Sequence, residues 1–250
     1  MSQNHQGVEL QVWLLRVDAL TESDVASLLP VLDEAEKARM VRFVHARNRI
    51  EFAAAHALTR LALGRALSVS PASFTFVEGS NGKPSAQRDG QPGPVSFNLS
   101  HADGMVGVAL LARPDVPVGF DLERLDRRIE LKIANRYFRP EEVSWLMGLA
   151  PSERPRGFLR LWTLKEALIK ATGEGLSREL DSFWFEVFPP RLHFVSGGES
   201  EKHWRFEQRI VHDTFVAAAG LRLADGVDRP PVWCVVDPRK LLVEGALPLE

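Results

Sequence analysis

Apolar residues recur at every second position near the start of the chain. Val8, Leu10, Val12 and Leu14 alternate with mostly polar neighbours, and this period of two predicts an opening strand. Over residues 33–67 the period lengthens. Ile50, Ala54, Ala57, Leu58, Leu61 and Ala62 fall three and four apart, which lays one apolar stripe along a helix. Pro71 follows and stops it. Residues 74–77 read as a strand, Asn81-Gly82-Lys83-Pro84 and the Gly/Pro-rich run 89–94 as turns, and 95–99, 105–111 and 116–122 as further strands. Two short helices are expected over 130–149 around a break at Pro140. Residues 153–172 predict a helix carrying Phe158, Leu161, Trp162, Leu168 and Ile169. Gly173 and Gly175 end it, because glycine accepts the left-handed conformation there. Strands return at 182–188, 203–209, 215–221 and 232–236. This order is α+β rather than a regular parallel βαβ series. Each half can place a helix on a small sheet, although no internal repeat is strong enough to prove it.

Composition narrows the class. At 250 residues the chain fits one compact body that can be built of two similar halves. A hydrophobic content of 45% with 26% charged residues is enough to bury a sizeable core. The 31 basic and 33 acidic residues nearly cancel, which argues against a nucleic-acid partner held by overall charge but not against local basic patches. Cys234 is the sole cysteine, so neither an intrachain disulfide nor a multi-cysteine zinc site can form. Residues 1–7 are polar and contain no signal core, and no apolar run is long enough to span a bilayer. A cytoplasmic protein without a membrane partner is expected.

The candidate chemistry lies in two segments. Asp121 and Glu123 alternate on a predicted strand, so they project to one side with Cα atoms roughly 6–7 Å apart. That spacing lets two hard oxygen ligands share a divalent cation such as magnesium; a solvated strand end is the commoner use of Asp-x-Glu. Glu166 and Lys170 lie four apart and share a helix face, as an ordinary surface ion pair also does. Lys165 lies about 100° around the helix from Glu166, near enough to serve an adjacent part of the same ligand. Trp162 is on the Glu166 face one turn earlier, and a core role suits it best. Asn98-Leu99-Ser100-His101 ends a strand before a turn. Adjacent strand residues point opposite ways, so Ser100 cannot readily pass its proton to His101. Phosphate binding by both, or a satisfied turn pair, are the readings left. Lys83 and Arg47 are isolated cations that by themselves read as solvated surface charges.

Taken in order, these segments resemble the 4'-phosphopantetheinyl transferases of the larger, Sfp-type class. The resemblance rests on Gly82-Lys83-Pro84, Phe97-Asn98-Leu99-Ser100-His101, Gly119-Phe120-Asp121-Leu122-Glu123, and Trp162-Thr163-Leu164-Lys165-Glu166-Ala167-Leu168-Ile169-Lys170. Gly173-Glu174-Gly175-Leu176-Ser177 and Leu180-Asp181-Ser182-Phe183 continue it, and Arg42-Phe43-Val44-His45-Ala46-Arg47 resembles the family's basic N-terminal helix segment. Phe120 stands where a branched aliphatic residue is usual.

The resemblance implies transfer of 4'-phosphopantetheine from coenzyme A to a serine of an apo acyl carrier protein or a peptidyl or aryl carrier domain, with release of 3',5'-ADP. It implies two α+β halves related by a pseudo-twofold, with the active site in the cleft between them. Residues 1–115 would form the half serving the coenzyme 3'-phosphate and adenine, and 116–250 the half serving metal and pyrophosphate. By the same resemblance Asp121, Glu123 and Glu166 bind magnesium, and Lys165 and Lys170 lie near the pyrophosphate. Arg47, Lys83, Ser100 and His101 hold the coenzyme. Glu166, or a water near it, takes the serine proton, and Lys170 assists the leaving group. A cytoplasmic monomer serving fatty-acid, polyketide or nonribosomal peptide synthesis is the biological expectation. Arg124, Arg127, Arg128, Arg136 and Arg139 form a basic cluster that either steers an acidic carrier or is an ordinary solvated face. A metal-dependent pyrophosphohydrolase and a non-catalytic carrier-binding module are the rival readings. No Walker loop or dinucleotide-binding glycine fingerprint is present.

Overall fold

The computed structural model describes residues 9–79, 82–196, 200–223, 229–239 and 241. The start of the expected first strand at Val8, the polar residues 1–7 and the turn residue Asn81 lie outside them. The protein is α+β and divides into two compact units, with chain boundaries at Asp115/Val116 and at Arg229/Pro230.

In chain order the first unit contains β1 (Gln11–Arg16), α1 (Glu22–Leu28), α2 (Glu34–Met40), α3 (Ala46–Leu67), β2 (Phe74–Glu78), β3 (Pro84–Arg88), β4 (Gln91–Pro92), β5 (Ser96–Ala102) and β6 (Met105–Leu111). The second contains β7 (Val118–Arg124), α4 (Ala134–Tyr137), α5 (Pro140–Gly148), α6 (Arg154–Thr172), β8 (Phe183–Val187), β9 (Pro190–Phe194), β10 (Trp204–Val211) and β11 (Phe215–Arg222). The last strand, β12 (Val232–Val236), returns to the first unit. It pairs in parallel with β1, Gln11 opposite Val232 and Leu15 opposite Val236. Strand β12 groups with the first unit because its backbone partners lie at the other end of the chain.

The first unit is a sheet ordered β12-β1-β6-β5 beneath α3, with the small sheet β2-β3-β4 beside it. Every residue of the predicted α3 stripe is buried in its core. The long helical stretch is broken, however. Residues 41–45 leave the helix after α2, and Arg49 donates to the carbonyls of Phe43 at 2.7 Å and Val44 at 2.9 Å. The α1 helix escapes the periodicity argument, because only Val25 and Leu28 of its seven residues are buried. Its signal is the cap: Asp24 accepts from the Thr21 backbone nitrogen at 2.7 Å.

In the second unit β10-β11-β7 form an antiparallel sheet carrying α6, and β8-β9 form a hairpin. Pro140 is the first residue of α5, where its missing N–H costs nothing, so the expected break is a helix start. Gly173 caps α6 with φ +73° and donates to the Ile169 carbonyl at 2.9 Å. Trp162 is half-buried against the core and stacks on Phe158 with centroids 5.8 Å apart. Among the described residues no helix is long and apolar enough to cross a membrane.

Inside the first unit the fully buried Arg60 binds Glu36 at 2.7 Å and Asp33 at 2.5 Å, and donates to the Phe74 carbonyl at 2.9 Å. It ties α2, α3 and the start of β2 together. Arg60→Met leaves the buried Glu36 carboxylate without its guanidinium partner, with His56 Nδ1 at 2.7 Å and the Asp33 nitrogen at 2.9 Å still bonded to it, so urea unfolding should show a loss of about 3 kcal/mol.

Candidate active site

Helix α6 crosses β7 at Gly119, and the contact leaves no room for a side chain. A Cβ there would stand 1.8 Å from the Ala167 carbonyl oxygen and 2.6 Å from the Ala171 nitrogen. Strand alternation then turns Asp121 and Glu123 to the helix side with Gly119. Their partners on β11, Ala218 and Val216, are buried in the core that α6 covers, which confirms the facing. Asp121 is buried, and Lys170 of α6 donates to its Oδ1 at 2.6 Å. Glu123 pairs with Arg127, four residues on.

Glu166 lies one helical turn before Lys170. Burial pushes its carboxyl above the ordinary range, the charges of Asp121 and Glu123 push it further, and Lys170 opposes them. Glu123 is also raised, by burial first; Arg127 opposes the shift and the Asp121 charge adds to it. The three predicted acids are thus close enough to repel one another. Among the described residues no group of three His, Cys, Asp or Glu side chains is placed to hold a metal ion. Asp121 and Glu123 point at cations of the chain instead. The donor set itself suits magnesium: carboxylate oxygens only, gathered against their own repulsion, which a divalent ion would relieve.

Lys165, expected beside the pyrophosphate, is fully buried in the core of the second unit, 2.9 Å from the equally buried Glu142. The rotation that puts it about 100° from Glu166 carries it off the acid face. Burial drives the ammonium down and the carboxyl up, each toward its neutral form, and their mutual charge opposes both shifts.

The first unit holds the other predicted residues. Arg47, on the first turn of α3, pairs with Glu51 at 3.4 Å and with Asp103. His101 places Nδ1 4.0 Å from the other Glu51 oxygen, so Glu51 joins two residues far apart in sequence. The Gly104 nitrogen donates to Glu51 at 3.3 Å as well. Glu51 went unnoticed in the sequence; its signal was the four-residue spacing from Arg47. Ser100 is buried while His101 is exposed, as alternation along β5 requires. Lys83 closes the β2–β3 turn, its carbonyl accepting from Gly79 at 2.9 Å, and burial lowers its ammonium to about 8. The basic cluster is partly neutralised by its own neighbours: Arg124 pairs with Asp126 at 2.6 Å, Arg139 with Glu141 at 3.6 Å, and Arg127 with Glu123.

The chain is similar to a family of known proteins. Residues 117–219 match the 4'-phosphopantetheinyl transferase superfamily, and residues 20–112 match a family described as 4'-phosphopantetheinyl transferase, N-terminal. The chain is 30% identical over 216 residues to the 4'-phosphopantetheinyl transferase HetI of Nostoc sp., covering 85% of this chain and 87% of that protein. It is 32% identical over 151 residues to the 4'-phosphopantetheinyl transferase Sfp of Bacillus subtilis, covering 60% and 63%. It is also 28% identical over 209 residues to the L-aminoadipate-semialdehyde dehydrogenase-phosphopantetheinyl transferase of Mus musculus, covering 76% and 67%.

Two measurements test the geometry. Gly119→Ala should lower the melting temperature by many degrees, since the clash is with backbone and helix and strand must part. Carboxyl NMR of the metal-free protein should find Glu166 titrating above the ordinary range, and lower in Asp121→Asn. Because the folded pKa is raised, Glu166 favours the folded state most below the ordinary carboxylate range. That contribution should be lost as pH rises through the raised value.

Proposed function

The chain belongs to the 4'-phosphopantetheinyl transferase superfamily, and from that premise we propose that it takes the 4'-phosphopantetheine arm from coenzyme A, places it on a serine hydroxyl of an apo carrier protein, and releases 3',5'-ADP with the help of magnesium. The observation that carries the reading is the meeting of Asp121, Glu123, Glu166 and Lys170 where α6 lies on β7. Three acids and a lysine at one place suit a divalent ion and a pyrophosphate.

Asp121, Glu123 and Glu166 would hold the magnesium. Bound there, the ion supplies Lewis-acid and orienting chemistry at the pyrophosphate. Glu166, held basic by burial and by Asp121, accepts the serine proton directly or through a water. The serine oxygen bonds to the β-phosphorus, and the bond from that phosphorus to the 3',5'-ADP oxygen breaks. Lys170, already within reach of the acid group through Asp121, stabilises or protonates the departing oxygen. Lys83, Ser100, His101 and Arg47 hold the coenzyme, chiefly at its 3'-phosphate. Arg47 exchanges Glu51 and Asp103 for phosphate when it does so. The proposed partners are coenzyme A and acyl, peptidyl or aryl carrier domains, met by a monomer in the cytoplasm.

Incubation with coenzyme A, magnesium and apo carriers of fatty-acid, polyketide and peptide synthesis should add the mass of one phosphopantetheine arm to at least one of them. No gain on any carrier, or consumption of coenzyme A without a carrier, sinks the assignment. Asp121→Ala and Glu166→Ala should each abolish transfer. His101→Ala and Lys83→Ala should weaken coenzyme binding more than they slow the chemical step. Coenzyme affinity of the unsubstituted protein should fall as pH rises through about 8, where the Lys83 ammonium loses its proton; Lys83→Ala should remove that dependence.

A further inference from the structure

We propose that Lys165 is a positioning residue, a buried strut that with Glu142 fixes the rotation of α6 and hence where Glu166 and Lys170 stand, and that it never touches the coenzyme. The inference rests on the roles proposed for Glu166 and Lys170. It starts from an inventory of hydrogen bonds. An ammonium has three donors and no acceptor. Lys165 Nζ reaches the Leu180 carbonyl at 2.7 Å, the Phe183 carbonyl at 2.8 Å and Glu142 Oε2 at 2.9 Å. All three donors are used inside the protein, and the side chain has no exposed surface. The Phe183 ring adds a face 4.5 Å from Nζ.

Glu142 is equally committed. Its Oε2 accepts from the Arg139 nitrogen at 3.0 Å, and its Oε1 accepts from the Phe185 nitrogen at 3.0 Å. The pair thus joins α6 to the first turn of α5, to the segment before β8, and to β8 itself. A phosphate could draw Lys165 away only by leaving the Glu142 carboxylate buried without its cation, which is strongly unfavourable.

The position of Lys165 gives this strut its consequence. It is the residue next to Glu166, so the two leave the helix about 100° apart. Contacts at Gly119, Ala167 and Ala171 set how closely α6 approaches β7, but small apolar surfaces allow sliding and rotation. Directional hydrogen bonds from Lys165 on another side of the helix remove that freedom. A helix so held presents Glu166 and Lys170 to Asp121 and Glu123 at a fixed angle.

The test compares Lys165→Met, Glu142→Gln and the double variant Lys165→Met/Glu142→Leu in the full chain. Each single substitution should lower kcat by about 30-fold or more with KM for coenzyme A within about threefold. The double variant, which leaves no buried charge unpaired, should lose less melting temperature than either single variant. A tenfold or greater rise in the coenzyme dissociation constant of Lys165→Met, absent in Glu142→Gln, would overturn the proposal and make Lys165 a phosphate ligand. Should the single variants fail to fold, the double variant decides: coenzyme binding within about threefold supports the strut, and a tenfold loss overturns it. Hydrogen exchange of the α6 amides reads the strut without turnover. Exchange about tenfold faster near residues 165–170 in Lys165→Met is expected, and unchanged exchange rejects the strut. Absence of transfer by the unsubstituted protein would instead reject the proposed function.

Discussion

The close approach of α6 to β7 at Gly119 governs the second unit. A helix that nearly touches a strand's backbone must be matched by residues without bulk, and Gly119, Ala167, Ala171 and Ala218 supply that match. With the approach set, alternation along the strand and the turn of the helix leave few places for the neighbouring side chains. Asp121 and Glu123 come to the helix face, and Glu166 and Lys170 come down onto them. The site is a by-product of tight packing: where small residues stop, the charged ones begin.

Such a gathering is electrostatically unfavourable by itself. Burial and mutual repulsion both push the carboxyls of Glu123 and Glu166 upward, and Lys170 and Arg127 offset only part of this. The cost is sustained by the rest of the unit, which buries long aliphatic and aromatic side chains beneath α6. One residue away, Lys165 and Glu142 make the opposite use of charge, with every donor and acceptor satisfied inside the core. Adjacent residues of one helix therefore divide between a mutually repelling acid cluster and a fully paired one. In the first unit Glu51 plays a quieter part: one of its oxygens pairs with Arg47 and the other faces His101.

Hydrophobic periodicity determined the α+β order, the stripe of α3, the extent of α6 and its glycine stop, because these depend on residues near in sequence. The ordered motifs determined the family and which acids to suspect. Tertiary structure alone decided the rest. The return of β12 to β1 depends on backbone pairing across nearly the whole chain. The break at 41–45 depends on carbonyls that Arg49 satisfies. The partners of Arg47 and His101 depend on Glu51, whose charge has no local pattern beyond a helical spacing. Lys165 shows the limit most clearly. A lysine beside a suspected metal-binding acid reads as a ligand for phosphate, and helical geometry allows that or its opposite. Only the acceptors at Glu142, Leu180 and Phe183, brought from three separate segments, consume its donors and turn it into part of the core.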